Sequence, residues 1–307
     1  AMDRLLNTRP APLYLPSNLS RIRPGTFDND IGRIADADWV IEAVVEKLKP
    51  KQEIWSRAAP YLRPDVIAST NTSGIPIVSI AKALPKELRS RFLGTHFFNP
   101  PRYIRLLEII PTSDTDDNVK RDAKRFAEDV LGKGVVIARD VPNFIANRIG
   151  CFGLLEAIRA MEEFDLGPDE VDSVAGVAMG RSRSASFRTL DLIGLDVFLD
   201  VCGNMLDERD VPSHAGFDVP TVVRDLIFRN WLGEKTGMGF YKRQQVDTSK
   251  EVFALDLKSM DYRPRRSLIA KSLAAVRKMS DPMARLGTLV ESNDVAGKLA
   301  WRILAST

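Results

Sequence analysis

The sequence predicts an α/β domain followed by an all-helical one, and three observations predict it. Short apolar runs alternate with stretches of helical spacing between Trp39 and Ala138. That alternation stops after Asp140. The long patterns that follow, Phe144 to Phe164 and Phe187 to Met205, repeat their apolar residues at helical rather than strand spacing.

The elements follow in order. Residues 1–29 read as an irregular segment, because Pro12 to Pro24 holds three prolines and little periodicity. Regular structure is expected from about Asp30. Trp39 to Val45 is a short apolar run suited to a buried parallel strand. Lys51 to Leu62 has helical spacing, Val66 to Thr70 is a second strand, and Val78 to Leu84 is a short helix. Phe92 to Phe98 and Ile104 to Ile110 read as strands. Asp117 to Leu131 is an amphipathic helix that Gly132 stops, and Val135 to Ala138 is a last strand. Strands alternating with helices imply an open, mostly parallel sheet over residues 30–141.

Residues 142–245 then make the helical domain. Pro168 to Ala178 opens on Pro-Asp-Glu, a favourable first turn, and Val219 to Trp231 is a further helix. Residues 246–307 read as a connector, with a solvated basic run at Tyr262 to Arg266 and short helices at Leu268 to Val276 and Val295 to Leu304.

Composition narrows the function. Lys plus Arg number 44 against 41 Asp plus Glu, and they are scattered, which argues against a nucleic-acid partner. No apolar run approaches the roughly 18 residues a bilayer crossing needs, and no signal peptide is legible, so neither membrane nor export is expected. Cys151 and Cys202 lie in apolar helical stretches without metal-ligand spacing. They read as reduced core thiols of a cytoplasmic protein, and no metal site is predicted.

Two places could carry chemistry. His96 stands in Gly94-Thr95-His96-Phe97-Phe98-Asn99-Pro100, at the end of a strand, where open parallel sheets bind ligands. Glu108 sits inside the next apolar run, where a charge is costly without a partner. Paired, the two would give an imidazole with one nitrogen fixed on the carboxylate and the other open to a proton. The plain alternative is a core histidine and a surface glutamate. Ser69-Thr70-Asn71-Thr72-Ser73-Gly74 is a polar strand end fit either for ligand groups or for capping the next helix. Asn147 opens the long helix, where a capping or surface role is the default, and His214 lies in a loop.

Together these residues resemble the 3-hydroxyacyl-CoA dehydrogenase family. The resemblance rests on Trp39 to Glu46, Ser69 to Ser73, Gly94 to Pro100, Pro142 to Arg148 and Gly233-Glu234-Lys235-Thr236-Gly237-Met238-Gly239-Phe240-Tyr241-Lys242, in that order, over about residues 30–245. The segment Met179 to Asp196 is similar to the bacterial branch, in which the dehydrogenase is often fused to an enoyl-CoA hydratase. The resemblance implies a Rossmann-like sheet domain, a helical substrate and dimerisation domain, NAD as cofactor, an acyl-CoA substrate and a homodimer. It implies that His96 is catalytic with Glu108 as its orienting partner, that Ser73 and Asn147 contact the substrate, and that Ala43, Glu46, Lys51 and Asn71 approach the cofactor. The activity implied is oxidation of 3-hydroxyacyl-CoA to 3-oxoacyl-CoA in fatty-acid β-oxidation.

Two departures stand out. The family's opening strand and G-x-G-x-x-G turn, which cradle the pyrophosphate, do not occur before Ser73. The sequence therefore reads as a truncated sheet, with weak NAD binding expected of a fragment, and with a non-catalytic acyl-CoA-binding or dimerisation module as the alternative function. Asn143 stands where relatives often carry Gly, and Asn tolerates a left-handed backbone better than most residues.

Overall fold

The computed structural model describes residues 2–206, 216–246 and 249–307. The chain divides into two compact units, Ala1–Ile145 and Ala146–Thr307. His214 lies outside the described residues.

The first unit opens with a short helix, α1 (Met2–Asn7), and a 3-10 turn at Pro16–Arg21, so the segment read as irregular is partly regular. The strand and helix pattern then unfolds as β1 (Trp39–Glu42), α2 (Leu48–Ala58), β2 (Ile67–Thr70), α3 (Ile77–Ala81), α4 (Lys86–Arg89), β3 (Phe92–Phe97), β4 (Leu106–Pro111), α5 (Asp117–Asp129) and β5 (Gly134–Ile137). The sheet order is β1-β2-β3-β4-β5. β1, β2 and β3 are parallel, β4 is antiparallel to β3, and β5 is parallel to β4.

Each face of the sheet is covered by helix. Trp55, Ala58, Ile77, Ile80, Phe92 and Phe144 form one apolar cluster, and Leu93, Leu107, Ile109, Val119, Ala123 and Ala127 form the other. Leu93 and Phe92 fall in different clusters because successive strand residues face opposite ways. Gly94 is required on the first face, since a Cβ there would stand 2.6 Å from the Ile77 side chain of α3.

The second unit holds α6 (Ala146–Glu163), α7 (Pro168–Ala175), α8 (Phe187–Ile193), α9 (Leu195–Leu206) and α10 (Thr221–Phe228). Up to residue 240 its described elements are helices, as the sequence predicts, and strands begin only at Tyr241. An antiparallel sheet, β6 (Tyr241–Val246), β7 (Ser249–Asp256) and β8 (Asp261–Pro264), precedes α11 (Lys271–Val276), α12 (Pro282–Val290) and α13 (Val295–Ser306). Residues 246–307, read as a connector, contribute to the same core as α6 and α7: Leu255, Leu273, Val276, Leu289, Leu299 and Ile303 are buried with Leu155, Ile158 and Val171. The basic run is not a solvated linker either. Arg263 is mostly buried and forks onto both oxygens of buried Asp169 at 2.9 and 3.0 Å. A bidentate guanidinium–carboxylate pair of this kind fixes geometry as well as charge.

The Gly233 to Tyr241 motif closes over a carboxylate. Asp191, at the end of α8, accepts the backbone N–H groups of Phe240 and Tyr241, both at 2.8 Å. A Cβ at Gly239 would come within 2.1 Å of the Asp191 oxygen, so this approach admits only glycine. Burial pushes the Asp191 carboxyl up to about 7, against the two N–H donors that hold it down.

Candidate active site

His96 and Glu108 are partners in the antiparallel register of β3 and β4. Side chains directly opposite on neighbouring strands share a face, so the pairing itself brings imidazole and carboxylate together. His96 Nδ1 lies 2.7 Å from Glu108 Oε2, and both residues are buried, at 4% and 1% exposure. A carboxylate can only accept, so Nδ1 carries the proton and Nε2 is left as the basic nitrogen. The second carboxylate oxygen, Oε1, accepts the Ile145 backbone N–H at 3.0 Å. Phe98 and Phe144 flank the ring at centroid distances of 4.2 and 5.6 Å. The imidazole is thus oriented by one charged hydrogen bond and two aromatic walls.

A second polar group occupies the carboxyl ends of β1 and β2. Lys51, on α2, is 1% exposed. Its Nζ donates to Glu42 Oε1 at 3.0 Å and the Val44 carbonyl at 3.2 Å, and ion-pairs with Glu46 Oε2 at 3.2 Å. Two hydrogen bonds and an ion pair thus hold the ammonium on protein groups. Glu42 is also met by the Thr70 hydroxyl at 2.6 Å and the Val44 N–H at 2.6 Å. Glu46 presents its other oxygen to the Thr72 hydroxyl at 2.5 Å and the Ser73 N–H at 2.7 Å. The 43–47 and 71–74 loops are therefore tied together through one lysine and two carboxylates. Sequence reasoning missed Glu42, although an acid closing the apolar run Trp39 to Ile41 is the same signal that singled out Glu108.

The other predicted positions fall around these groups. Ala43 and Ser73 are exposed, and the Glu46 side chain keeps 45% of its surface. The Asn71 carboxamide oxygen accepts the Phe97 N–H at 3.0 Å, which links the 71–74 loop to the strand that carries His96. Asp140 accepts the Ile77 and Val78 N–H groups at 2.7 and 2.8 Å, and burial raises its carboxyl above the usual range. Asn143 adopts φ 62°, the left-handed conformation that its side chain tolerates. Asn147 lies in the first turn of α6, in the second unit.

Comparison with known proteins agrees with this architecture. Residues 16–141 match the family model for the 3-hydroxyacyl-CoA dehydrogenase NAD binding domain, and residues 144–243 match that for the C-terminal domain. A probable 3-hydroxyacyl-CoA dehydrogenase of Deinococcus radiodurans is 39% identical over 86% of this chain and 76% of that protein. The chain belongs to the 3-hydroxyacyl-CoA dehydrogenase family. A probable 3-hydroxyacyl-CoA dehydrogenase of Bacillus subtilis is 41% identical over 100% of this chain, so the likeness extends past residue 245 to the helices α11 to α13. This chain spans 38% of that relative's length. Among solved structures, (S)-3-hydroxybutyryl-CoA dehydrogenase from Ralstonia eutropha superposes with TM-score 0.65 at 27% identity, over 78% of this chain and 81% of that one. No helix among the described residues is long and apolar enough to cross a membrane.

Proposed function

We propose that the chain performs NAD-dependent oxidation of a 3-hydroxyacyl-CoA to the 3-oxoacyl-CoA. The observation that carries this reading is the 2.7 Å pairing of His96 with Glu108. Oxidation at C3 removes a proton from the hydroxyl oxygen. His96 Nε2 takes that proton as general base, and Glu108 fixes the tautomer and stabilises the imidazolium that results. In the reverse direction the protonated ring returns the proton to the developing alkoxide. Ser73 and Asn147 orient the substrate oxygen, which contributes through positioning.

The residues at the carboxyl ends of β1 and β2 fit a nicotinamide cofactor in one respect that can be checked on the fold. Ala43, Glu46 and Ser73 are accessible there, while Glu42, Lys51 and Thr72 beside them are buried and hydrogen-bonded to protein groups. NAD held along this edge supplies the hydride acceptor. Glu46 and Asn71 would meet it directly. Lys51, whose ammonium is committed to three protein acceptors, acts by bracing Glu46. The same proposal includes a cytoplasmic setting, in keeping with the free, buried Cys151 and Cys202. It also includes a role in fatty-acid β-oxidation, a homodimer built on apolar side chains such as Ile149 and Val197, and association with an enoyl-CoA hydratase.

The test is oxidation of NADH by the purified chain with acetoacetyl-CoA, followed at 340 nm. Turnover is expected, and His96→Gln should lower kcat by about 10²–10⁴-fold, the usual contribution of a general acid–base group. Turnover that survives His96→Gln unchanged sinks the mechanism. No turnover with retained acyl-CoA binding would leave a binding module instead.

A further inference from the structure

The second unit contains a cavity of about 320 Å³ between α7, the loop before α8, α11 and α12. Arg183, Arg277 and Arg285 line it, with Ser173 beside them and the buried side chains of Leu273 and Val276 at its floor. Several arginines elsewhere in this unit are matched to acids, Arg159 and Arg302 to Glu156, Arg188 to Glu234 and Arg263 to Asp169, while others, such as Arg181, Arg224 and Arg229, form no ion pair among the described residues. What sets the cavity apart is that three unmatched arginines line one concavity. Among the described residues, no carboxylate lies within ion-pair distance of Arg183, Arg277 or Arg285.

The one acid at the cavity wall, Asp172, is already engaged. Its Oδ1 accepts the N–H groups of Ser186 and Phe187, and its Oδ2 accepts the Arg188 N–H and the Tyr241 hydroxyl, all at 2.8–3.0 Å. Arg285 donates Nη1 to the Val177 carbonyl at 2.9 Å, yet its Nε is buried without a hydrogen-bond partner. A buried guanidinium N–H left unmatched costs free energy that a bound acceptor would recover.

We propose that this cavity is a binding site for a phosphate ester carrying two or more phosphoryl charges. Guanidinium forks match phosphoryl oxygens bidentately, and three of them line a concavity whose one carboxylate, Asp172, is committed to four donors of its own. The volume falls near the lower end of the roughly 300–1,000 Å³ of small-molecule sites, which suits a diphosphate or a nucleotide fragment and not a whole dinucleotide. The apolar floor accommodates a sugar or base edge beyond the phosphoryl groups. The site stands on arginines apart from His96 and Glu108, so it does not depend on the dehydrogenase reading.

Isothermal titration of the full chain in low salt tests this, with pyrophosphate as one probe and adenosine 3′,5′-bisphosphate as the other. Saturable one-site binding of pyrophosphate is expected below about 1 mM, weakening as salt is raised. The double variant Arg183→Ala/Arg277→Ala should weaken it at least tenfold. Both substituted side chains are exposed, so the fold should persist, as the far-UV spectrum and Tm would show. Arg285→Lys, which keeps the charge and loses the fork, gives a second reading and should weaken binding by a smaller factor. Tighter binding of the bisphosphate than of pyrophosphate assigns the site to a nucleotide such as the phosphorylated adenosine end of CoA; equal binding assigns it to the phosphoryl groups alone. Failure of pyrophosphate to saturate the chain, or undiminished binding in the double variant, overturns the proposal.

Discussion

Glu108 and Asp191 are both 1% exposed, one in each unit of the chain, and they meet burial with different partners. Glu108 gives one oxygen to an imidazole and the other to a backbone N–H. Asp191 gives both oxygens to consecutive backbone N–H groups, those of Phe240 and Tyr241. The first arrangement leaves a basic nitrogen that can change its protonation. The second clamps a loop to a helix end and leaves nothing to react. Burial of a carboxylate therefore does not mark chemistry by itself; the identity of the group it faces does.

The largest expected effect tests the structural half of that contrast. The Asp191 carboxyl is pushed up to about 7 in the folded chain, against an ordinary value of 3.8. The folded state therefore keeps a proton that the unfolded chain has released, and unfolding in this window liberates it. Stability should fall as pH rises from about 4 to about 7 and level off above that, by on the order of 4 kcal/mol for this group. Asp191→Asn should remove this group's share of the decline and leave that of Asp172, whose carboxyl burial pushes up to about 6. The variant should carry some cost at pH 5, where its amide N–H₂ faces one of the two backbone donors. Urea unfolding at pH 5 and pH 8 measures the larger part of the decline. An equal decline in the variant would assign the titration elsewhere.

Lys51→Met sharpens the comparison from the first unit. It removes the cation and leaves Glu42 buried with its charge uncompensated, which costs about 3 kcal/mol or more. Lys51→Met/Glu42→Gln should recover much of that loss, since a neutral pair no longer buries a charge. A double-mutant cycle by urea denaturation gives the coupling; additive effects would mean that the two side chains are not partners.

Glu108→Gln should behave in the opposite sense. The amide keeps an acceptor for the imidazole or the Ile145 N–H, so Tm should move by only a few degrees. Turnover of acetoacetyl-CoA should fall by about a hundredfold in kcat, because the imidazolium loses its counter-charge; that corresponds to ~2.7 kcal/mol. If the variant instead lost stability and kept its turnover, Glu108 would belong with Asp191.

Most of the first unit could be read from sequence because each of its strands is a short apolar run between turn signals. The predicted strands from Trp39 to Ala138 correspond to β1 through β5, with no end shifted by more than three residues. The strand directions could not be read. A pattern of alternating strands and helices implies parallel pairing, yet β3 and β4 are joined without a helix and run antiparallel. That reversal is what sets His96 opposite Glu108, so the site was suggested by the residue types and fixed by a register that periodicity does not encode. The end of the chain was harder. β7 carries charged residues near both ends and β8 is only four residues long, and the partner that makes Arg263 a buried anchor lies 94 residues away, at Asp169. A basic run and a buried ion pair look the same until the distant acid is in place.

Asn143 offers the smallest and most local test. It holds φ 62° next to Phe144 at φ 51°, where the chain turns so that Phe144 can reach the His96 ring. An L-residue without a helpful side chain pays about 1 kcal/mol or more in this region, whereas glycine pays nothing sterically. Asn143→Ala should therefore lower stability by about 1 kcal/mol, and Asn143→Gly by less, because relief of the backbone offsets the loss of the side chain. Thermal unfolding of the two variants side by side decides it. Should Ala prove as stable as Gly, the left-handed turn is not what Asn143 contributes, and its buried side chain, packed where a Cβ on Gly74 would lie 2.5 Å from Oδ1, would be the reason for its place beside the aromatic wall.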